Sequence, residues 1–266
     1  MKSIAIIALF VFAAFSVIPV MAQDSGNLYD EFQNYAESEL DRVATPIVEA
    51  FGTAVGGGLY NTAGTHGTLG FDLGIRAMMV MIPEGKSAIL DSAELKFFPV
   101  PVAQASVGLP MGFEVMARGF SVDLEDGTIS LFGGGIKKSF SEYIPVPGFP
   151  DVSAMIAYHS FKAGDVLSSS TLSFDVLVSK KFLVITPYGG FGFDKTSMKI
   201  EYTYIFDDPG PPPIHTEVPL EHTIDVSTGR FTVGLNITPI PFIKIFADYN
   251  FGKFSQATAG LSVNFR

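Results

Sequence analysis

The sequence predicts an all-β chain: a transmembrane antiparallel β-barrel of about ten strands, preceded by an N-terminal amphipathic helical segment. Three observations predict it. The last ten residues alternate strictly, with Ala257, Ala259, Leu261, Val263 and Phe265 apolar and Thr258, Gly260, Ser262, Asn264 and Arg266 polar or glycine. That two-residue period gives a strand one oily and one wet face, as a strand between lipid and a lumen requires. The chain is 47% hydrophobic, yet after residue 22 no run reaches the roughly eighteen consecutive apolar residues of a spanning helix. There is no cysteine, so a lipidated N-terminal cysteine, a disulfide framework and a thiolate metal site are all excluded. A secreted β-sandwich with a buried core is the competing architecture at this length.

Residues 1–22 read as a secretory signal. Lys2 supplies the charged start, Ile4 to Val20 the apolar stretch, and Val20-Met21-Ala22 the cleavage site before Gln23. An uncleaved anchor is the alternative, opposed by Pro19 and by the cleavage site that follows it. The formal charge is −10, becoming −11 when Lys2 leaves with the signal. That sign argues against nucleic acid as a partner.

Residues 23–66 are expected to form a helical plug or cap. Leu28, Phe32, Ala36, Leu40, Val43 and Ile47 recur at three- and four-residue steps, with Asp30, Glu31, Glu37, Glu39, Asp41 and Arg42 on the other faces. Pro46 is expected to interrupt this helix, with Thr45-Pro46 starting a second that runs to about Ala54 and ends at Gly56-Gly57-Gly58. Periodicity leaves two placements open, a periplasmic cap or a plug in the barrel mouth.

Residues 67–266 form the barrel domain. Alternation marks strands near 69–77, 92–97, 105–117, 172–179, 231–237, 243–251 and 257–265, and weaker ones near 128–139, 152–162 and 183–204. One set of turn signals comprises Pro99 and Pro101, Pro145 to Pro150, Lys180-Lys181 and Pro239 to Pro241. The other comprises Pro83 to Lys86, Leu124 to Gly127, Lys162 to Asp165, the long Asp207–Glu221 stretch and Asn250 to Lys253. The sets alternate along the chain, as antiparallel crossings require, and the set with the longest loop is expected to face outside. Eight strands result if 88–98 is a loop.

Closing these strands assigns Asp72, Glu94, Glu114, Asp175 and Asp248 to the lumen as acids and Arg76, Lys96, Arg118 and Lys244 as bases. Two readings follow. The ions pair and fill a narrow lumen, because unpaired buried charge is costly, or they line a selective conduit. Ten strands are too few for an open aqueous pore. Glu114 and Arg118 lie about 13 Å apart on one strand face, as do Asp72 and Arg76, so each needs a partner on a neighbouring strand.

No catalytic constellation emerges, and no enzymatic activity is expected. His159 and Ser160 are adjacent on a strand and point to opposite faces, so they form no nucleophile–base pair. His159 is expected in the lumen or at its rim. His66 falls in the link between helix and barrel. His215, His222, Glu217 and Glu221, beside Asp207 and Asp208, contain nitrogen and oxygen ligand types. Five prolines there favour an extended, solvated acidic loop. Gly133-Gly134-Gly135 lies in strand context and suits close packing. No metal and no cofactor are expected.

The segment from Ala105 to Arg118 (ASVGLPMGFEVMAR) is similar to one in an uncharacterised family of small bacterial outer-membrane β-barrel proteins. Phe132 to Lys138, Ile144-Pro145, and the run Gly58 to Ala63 before Leu69 to Asp72 fit it as well. The helix-then-barrel plan distantly resembles the long-chain fatty-acid outer-membrane transporters, whose N-terminal segment forms a hatch. The resemblance implies a barrel in the bacterial outer membrane and no catalytic residue. The expected function is a narrow conduit or binding barrel for a small apolar or amphipathic solute. The alternative is a structural or surface-interaction barrel with a closed, ion-paired lumen. Expected partners are the lipid bilayer, the outer-membrane assembly machinery and a small hydrophobic solute, with the chain as a monomer.

Overall fold

In a computed structural model the described residues are 37–86, 96–124, 127–144, 146–164, 167–208 and 214–265. Ten strands run up and down: β1 (Phe71–Met81), β2 (Phe97–Leu109), β3 (Phe113–Leu124), β4 (Gly127–Ser139), β5 (Asp151–Ala163), β6 (Leu167–Ser179), β7 (Ile185–Asp208), β8 (Ile214–Ile240), β9 (Ile243–Gly252) and β10 (Ser255–Phe265). Each pairs antiparallel with its neighbour in sequence, and β1 pairs with β10 from Phe71 opposite Phe265 to Met81 opposite Ser255. The sheet is a closed cylinder, and the stacked-sheet alternative falls.

Alternation places the even residues of β10 (Gln256, Thr258, Gly260 and Ser262) inside and Val263 and Phe265 outside. The outer surface is oily where a soluble protein would be wet. Phe174 is 46% exposed, Val176 60% and Phe191 65%. An apolar band of this kind encircling a closed barrel needs lipid against it. At the rim by the chain's end, Phe265 stacks between Phe71 (4.9 Å) and Phe242 (5.2 Å), the aromatic girdle expected at a bilayer interface.

Several boundaries differ from the sequence reading. Pro99 and Pro101 are not a turn but lie within β2, opposite Met79 and Ala77. The β2–β3 ladder covers only Ala103 to Leu109. The prolines therefore occupy a stretch with β1 as its sole ladder partner, where a missing N–H costs little. The expected 105–117 strand is two strands, parted at Pro110–Gly112 with Met111 in the left-handed region (φ 62°). The ten crossings survive because β2 begins at Phe97, where the 88–98 strand was expected. Residues 87–95, with Glu94, lie outside the described residues. The Asp207–Glu221 stretch is largely a hairpin, with Asp208 opposite Ile214 and Glu201 opposite Glu221. It rises beyond Ile200, where the β6–β7 ladder ends.

Pro46 does not interrupt the helix. α1 (Glu37–Gly56) is continuous through it. Every residue from Ile47 to Asn61 is buried, which an amphipathic helix lying on a surface cannot achieve. The helix stands inside the barrel. Ile47, Val48, Phe51 and Val55 form one core with the inward-facing Met78, Val80, Val102, Leu131, Phe161, Met198 and Ile224. Phe51 sits between Phe98 (4.7 Å) and Phe161 (4.5 Å). The barrel half nearer the long hairpin is thus an apolar core around a helix.

Candidate functional site

The direction of the helix organises the lumen. Near its start, Asp41 meets His222 of the β7–β8 hairpin (2.7 Å), and Glu49 meets Lys253 in the β9–β10 turn (2.6 Å). Its C-terminus reaches mid-barrel, and the tail from Gly57 to His66 descends to the end where β1 begins, the short-turn end, whose connections include Pro110–Gly112 between β2 and β3 and residues 241–242 between β8 and β9. A helix C-terminus leaves carbonyls without intrahelical donors and carries partial negative charge.

The barrel wall supplies the missing donors. Gln256 Nε2 donates to Ala54 O (3.1 Å), Arg118 to Val55 O and to Gly57 O (3.1 Å), Arg76 Nη1 to Gly58 O (2.5 Å), and Gln104 Nε2 to Leu59 O (3.1 Å). Asn236 Nδ2 donates to Asn61 O (3.3 Å), and Lys137 Nζ to Thr62 O (3.4 Å) and Gly64 O (2.9 Å). Six wall side chains on β1, β2, β3, β4, β8 and β10 so hold eight plug carbonyls. Gly57 and Gly58 make the approach possible. A Cβ on Gly57 would lie 1.6 Å from Gln256 Oε1, and Gly58 adopts φ +59°.

Two ionic clusters lock this arrangement. In mid-barrel Arg230 pairs with Asp175 (Nη2–Oδ1 2.5 Å) and with Asp194. Arg118 Nε also donates to His159 Nε2 (2.8 Å), which fixes His159 as the neutral Nδ1–H tautomer. Toward the short-turn end, Lys137 pairs with Glu114 (3.0 Å), directly opposite it in the ladder. Lys244 pairs with Asp72 (3.0 Å) and lies 2.9 Å from His66 Nε2, while His66 Nδ1 lies 2.7 Å from Glu114 Oε2. Lys244 donates to Nε2 and the His66 Nδ1–H donates to Glu114. Buried charge in this part of the barrel balances, with Asp72, Glu114, Asp175, Asp194 and Asp248 facing Arg76, Arg118, Lys137, Arg230 and Lys244.

The expected lumen residues therefore separate. Asp72, Arg76, Glu114, Arg118, Asp175, Lys244 and Asp248 are buried inside. Lys96 is not. It precedes β2, stays exposed and pairs loosely with Glu84 (3.9 Å), because β2 starts after it. Glu94 lies outside the described residues. Lys137, Asp194, Arg230, Gln104 and Gln256 were absent from the expectation. The signal for Arg230 was present, since it lies one step before the Phe231–Ile237 alternation and in phase with its inward residues. Lys137 was hidden by the adjacent Lys138 and by the glycines before it.

Chemically the lumen is a lock. His159 uses its one basic nitrogen as an acceptor for Arg118 and has no hydroxyl to activate through it. Between plug and wall, a cavity of about 10 Å³ beside Tyr60, His66 and Arg76 has room for about one water. At the short-turn end a larger vestibule of about 260 Å³ opens between the plug tail and β5–β10. His66 borders both spaces.

The model of a family described as a family of unknown function (DUF6588) matches residues 1–90 and 87–265. Among curated proteins, none matches the chain. Solved structures similar to it include Ail, the attachment invasion locus protein of Yersinia pestis, at 12% identity, covering 74% of this chain and 99% of that one, with a TM-score of 0.33. The translocator domain of the autotransporter NalP from Neisseria meningitidis is similar at 10% identity, covering 85% and 99%, with a TM-score of 0.39. The N-terminal β-barrel domain of Pseudomonas aeruginosa OprF is similar at 14%, covering 73% and 97%, with a TM-score of 0.30. The closed ring of ten antiparallel strands and its lipid-facing band, rather than these distant likenesses, make the chain a bacterial outer-membrane barrel.

Proposed function

The chain belongs to the DUF6588 family of unknown function, and on that premise we propose that it is a closed outer-membrane barrel that works at its surface. The β7–β8 hairpin, braced by the plug helix through Asp41 and His222, is the interacting part. The single observation that carries the closed state is the eight plug carbonyls bound by wall side chains. A plug meant to leave readily would not be held by buried guanidinium and ammonium groups whose release strands both partners. The reading includes no catalysis, a self-sufficient monomer, and insertion by the outer-membrane assembly machinery.

A narrow conduit for a small apolar or amphipathic solute is the second reading. The vestibule favours it, since it leads inward as far as His66, but the solute would then have to displace the plug. The distant resemblance in plan to the long-chain fatty-acid transporters belongs with this second reading.

Planar-bilayer recording of the intact mature protein distinguishes the two. The closed reading expects no steady conductance, and a steady open channel overturns it. Because the sequence has no cysteine, Asp41→Cys and Lys181→Cys report orientation cleanly. A membrane-impermeant maleimide on intact cells should label Asp41→Cys and leave Lys181→Cys unlabelled. The reverse pattern removes the hairpin from the cell surface.

A further inference from the structure

The long hairpin leaves one sheet edge without a neighbour. From His222 to Gly229, β8 pairs with Ile200 to Phe193 of β7, and that stretch of β7 pairs in turn with β6. On its other side β8 meets β9 only from Arg230, opposite Gly252, downward. Above Arg230 none of the described residues continues the ladder on that side. Pro219 closes the stretch from above, since it has no N–H to offer. The free edge from Glu221 to Gly229 is about 30 Å long.

Behind this edge the sheet is firm. Ile224 and Val226, on its inner face, belong to the core that the plug helix shares with the wall. Its outer face, Glu221, Thr223, Asp225 and Ser227, is exposed and polar, and the lipid-facing residues of β8 begin at Phe231. The edge therefore stands in water above the bilayer. Between Glu221 and Gly229 there is no proline, no lysine and no break in the register against β7, so three of the devices that blunt an edge are missing. Charge then selects what can join it. From Lys195 to Ser227 the hairpin holds six acids and two lysines. Lys199 pairs with Glu201 (2.8 Å) and Glu221 (2.9 Å), while Asp225 has no ion-pair partner among the described residues. Glu221 and Asp225 repel a second copy of the same acidic hairpin and attract a cation.

We propose that the β8 edge from Glu221 to Gly229 takes an added strand, an extended cationic segment of a partner polypeptide. Backbone hydrogen bonds to the open side of β8 supply the affinity. Basic side chains four residues apart, about 13 Å along the added strand, meet Glu221 and Asp225 and set the choice of partner. The proposal rests on the surface reading of the hairpin and names the partner that reading leaves open.

Fluorescence anisotropy of a labelled nine-residue peptide with the intact detergent-solubilised protein tests it. The peptide carries lysine at its third and seventh positions, threonine at the other odd positions and valine at the even ones. It should bind saturably at one site, about tenfold more tightly than the same peptide with glutamate for lysine. Methylating alternate backbone nitrogens should abolish binding in one phase, odd or even, and spare it in the other, because only one phase faces β8. Asp225→Lys, an exposed change on the polar face, should weaken the lysine peptide about fivefold and tighten the glutamate one. Absence of saturable binding, equal affinity for the two peptides, equal effects of the two methylation phases, or an unchanged affinity in Asp225→Lys each overturns the proposal. Those failures leave a closed surface barrel standing, whereas a steady conductance or reversed maleimide labelling sinks the surface reading whether or not the peptide binds.

Discussion

Removing the Arg118 guanidinium should free the plug while leaving the barrel standing. Arg118 is buried and donates to Val55 O, Gly57 O and His159 Nε2. In Arg118→Ala the two carbonyls at the helix end and one imidazole nitrogen lose their donor in a dry setting. Each lost partner costs about 1–3 kcal/mol, and breaking a buried charged contact as a whole costs about 3–5 kcal/mol. Spread over a folded unit of this size, that lowers the unfolding midpoint by roughly 10 °C. The wall itself is held by backbone ladders that do not involve the side chain, including the β1–β10 closure. Two signals should therefore part company. Heat-modified mobility on electrophoresis should still report a folded barrel, while limited proteolysis should cut between Glu37 and His66, which the wild type protects. If the plug of Arg118→Ala stays protected with an unchanged midpoint, the guanidinium is not what holds it.

Two further outcomes follow from the same geometry. Gly57→Ala drives a methyl into Gln256 Oε1 and should destabilise by about 1–3 kcal/mol. Gln256→Ala in the same chain should recover part of that loss in a double-mutant cycle, and strict additivity would show that the two do not touch. Phe174→Arg places a cation in the middle of the outer face of β6 and should cost about 2–4 kcal/mol of folding into liposomes. A neutral result would mean that lipid does not contact that face.

Much of the fold was legible because a strand's two-residue period is printed directly in sequence. Phe71, Leu73, Val263 and Phe265 face outward, where alternation places them, and Asp72, Arg76, Glu114 and Arg118 face inward. Legibility failed where both faces of a strand are apolar. Met78-Met79-Val80-Met81 alternates in burial but not in polarity, because its inward side chains meet the helix instead of water. Pro99 and Pro101 misled for a related reason: whether a missing N–H matters depends on which neighbour a strand has at that height, and that is a property of register.

The sequence by itself determined a barrel with an oily outside, seven of its inward ions and a helix to spare. Only the tertiary structure decided that this helix fills the cylinder, that its start meets the long hairpin, and that Arg118 and Gln256 converge on its last turn with Arg76 on the tail just beyond it. The reason is physical. Parity along a strand says whether a side chain faces in or out, but which groups meet inside depends on ten registers closing at once around a plug, and no local period encodes that.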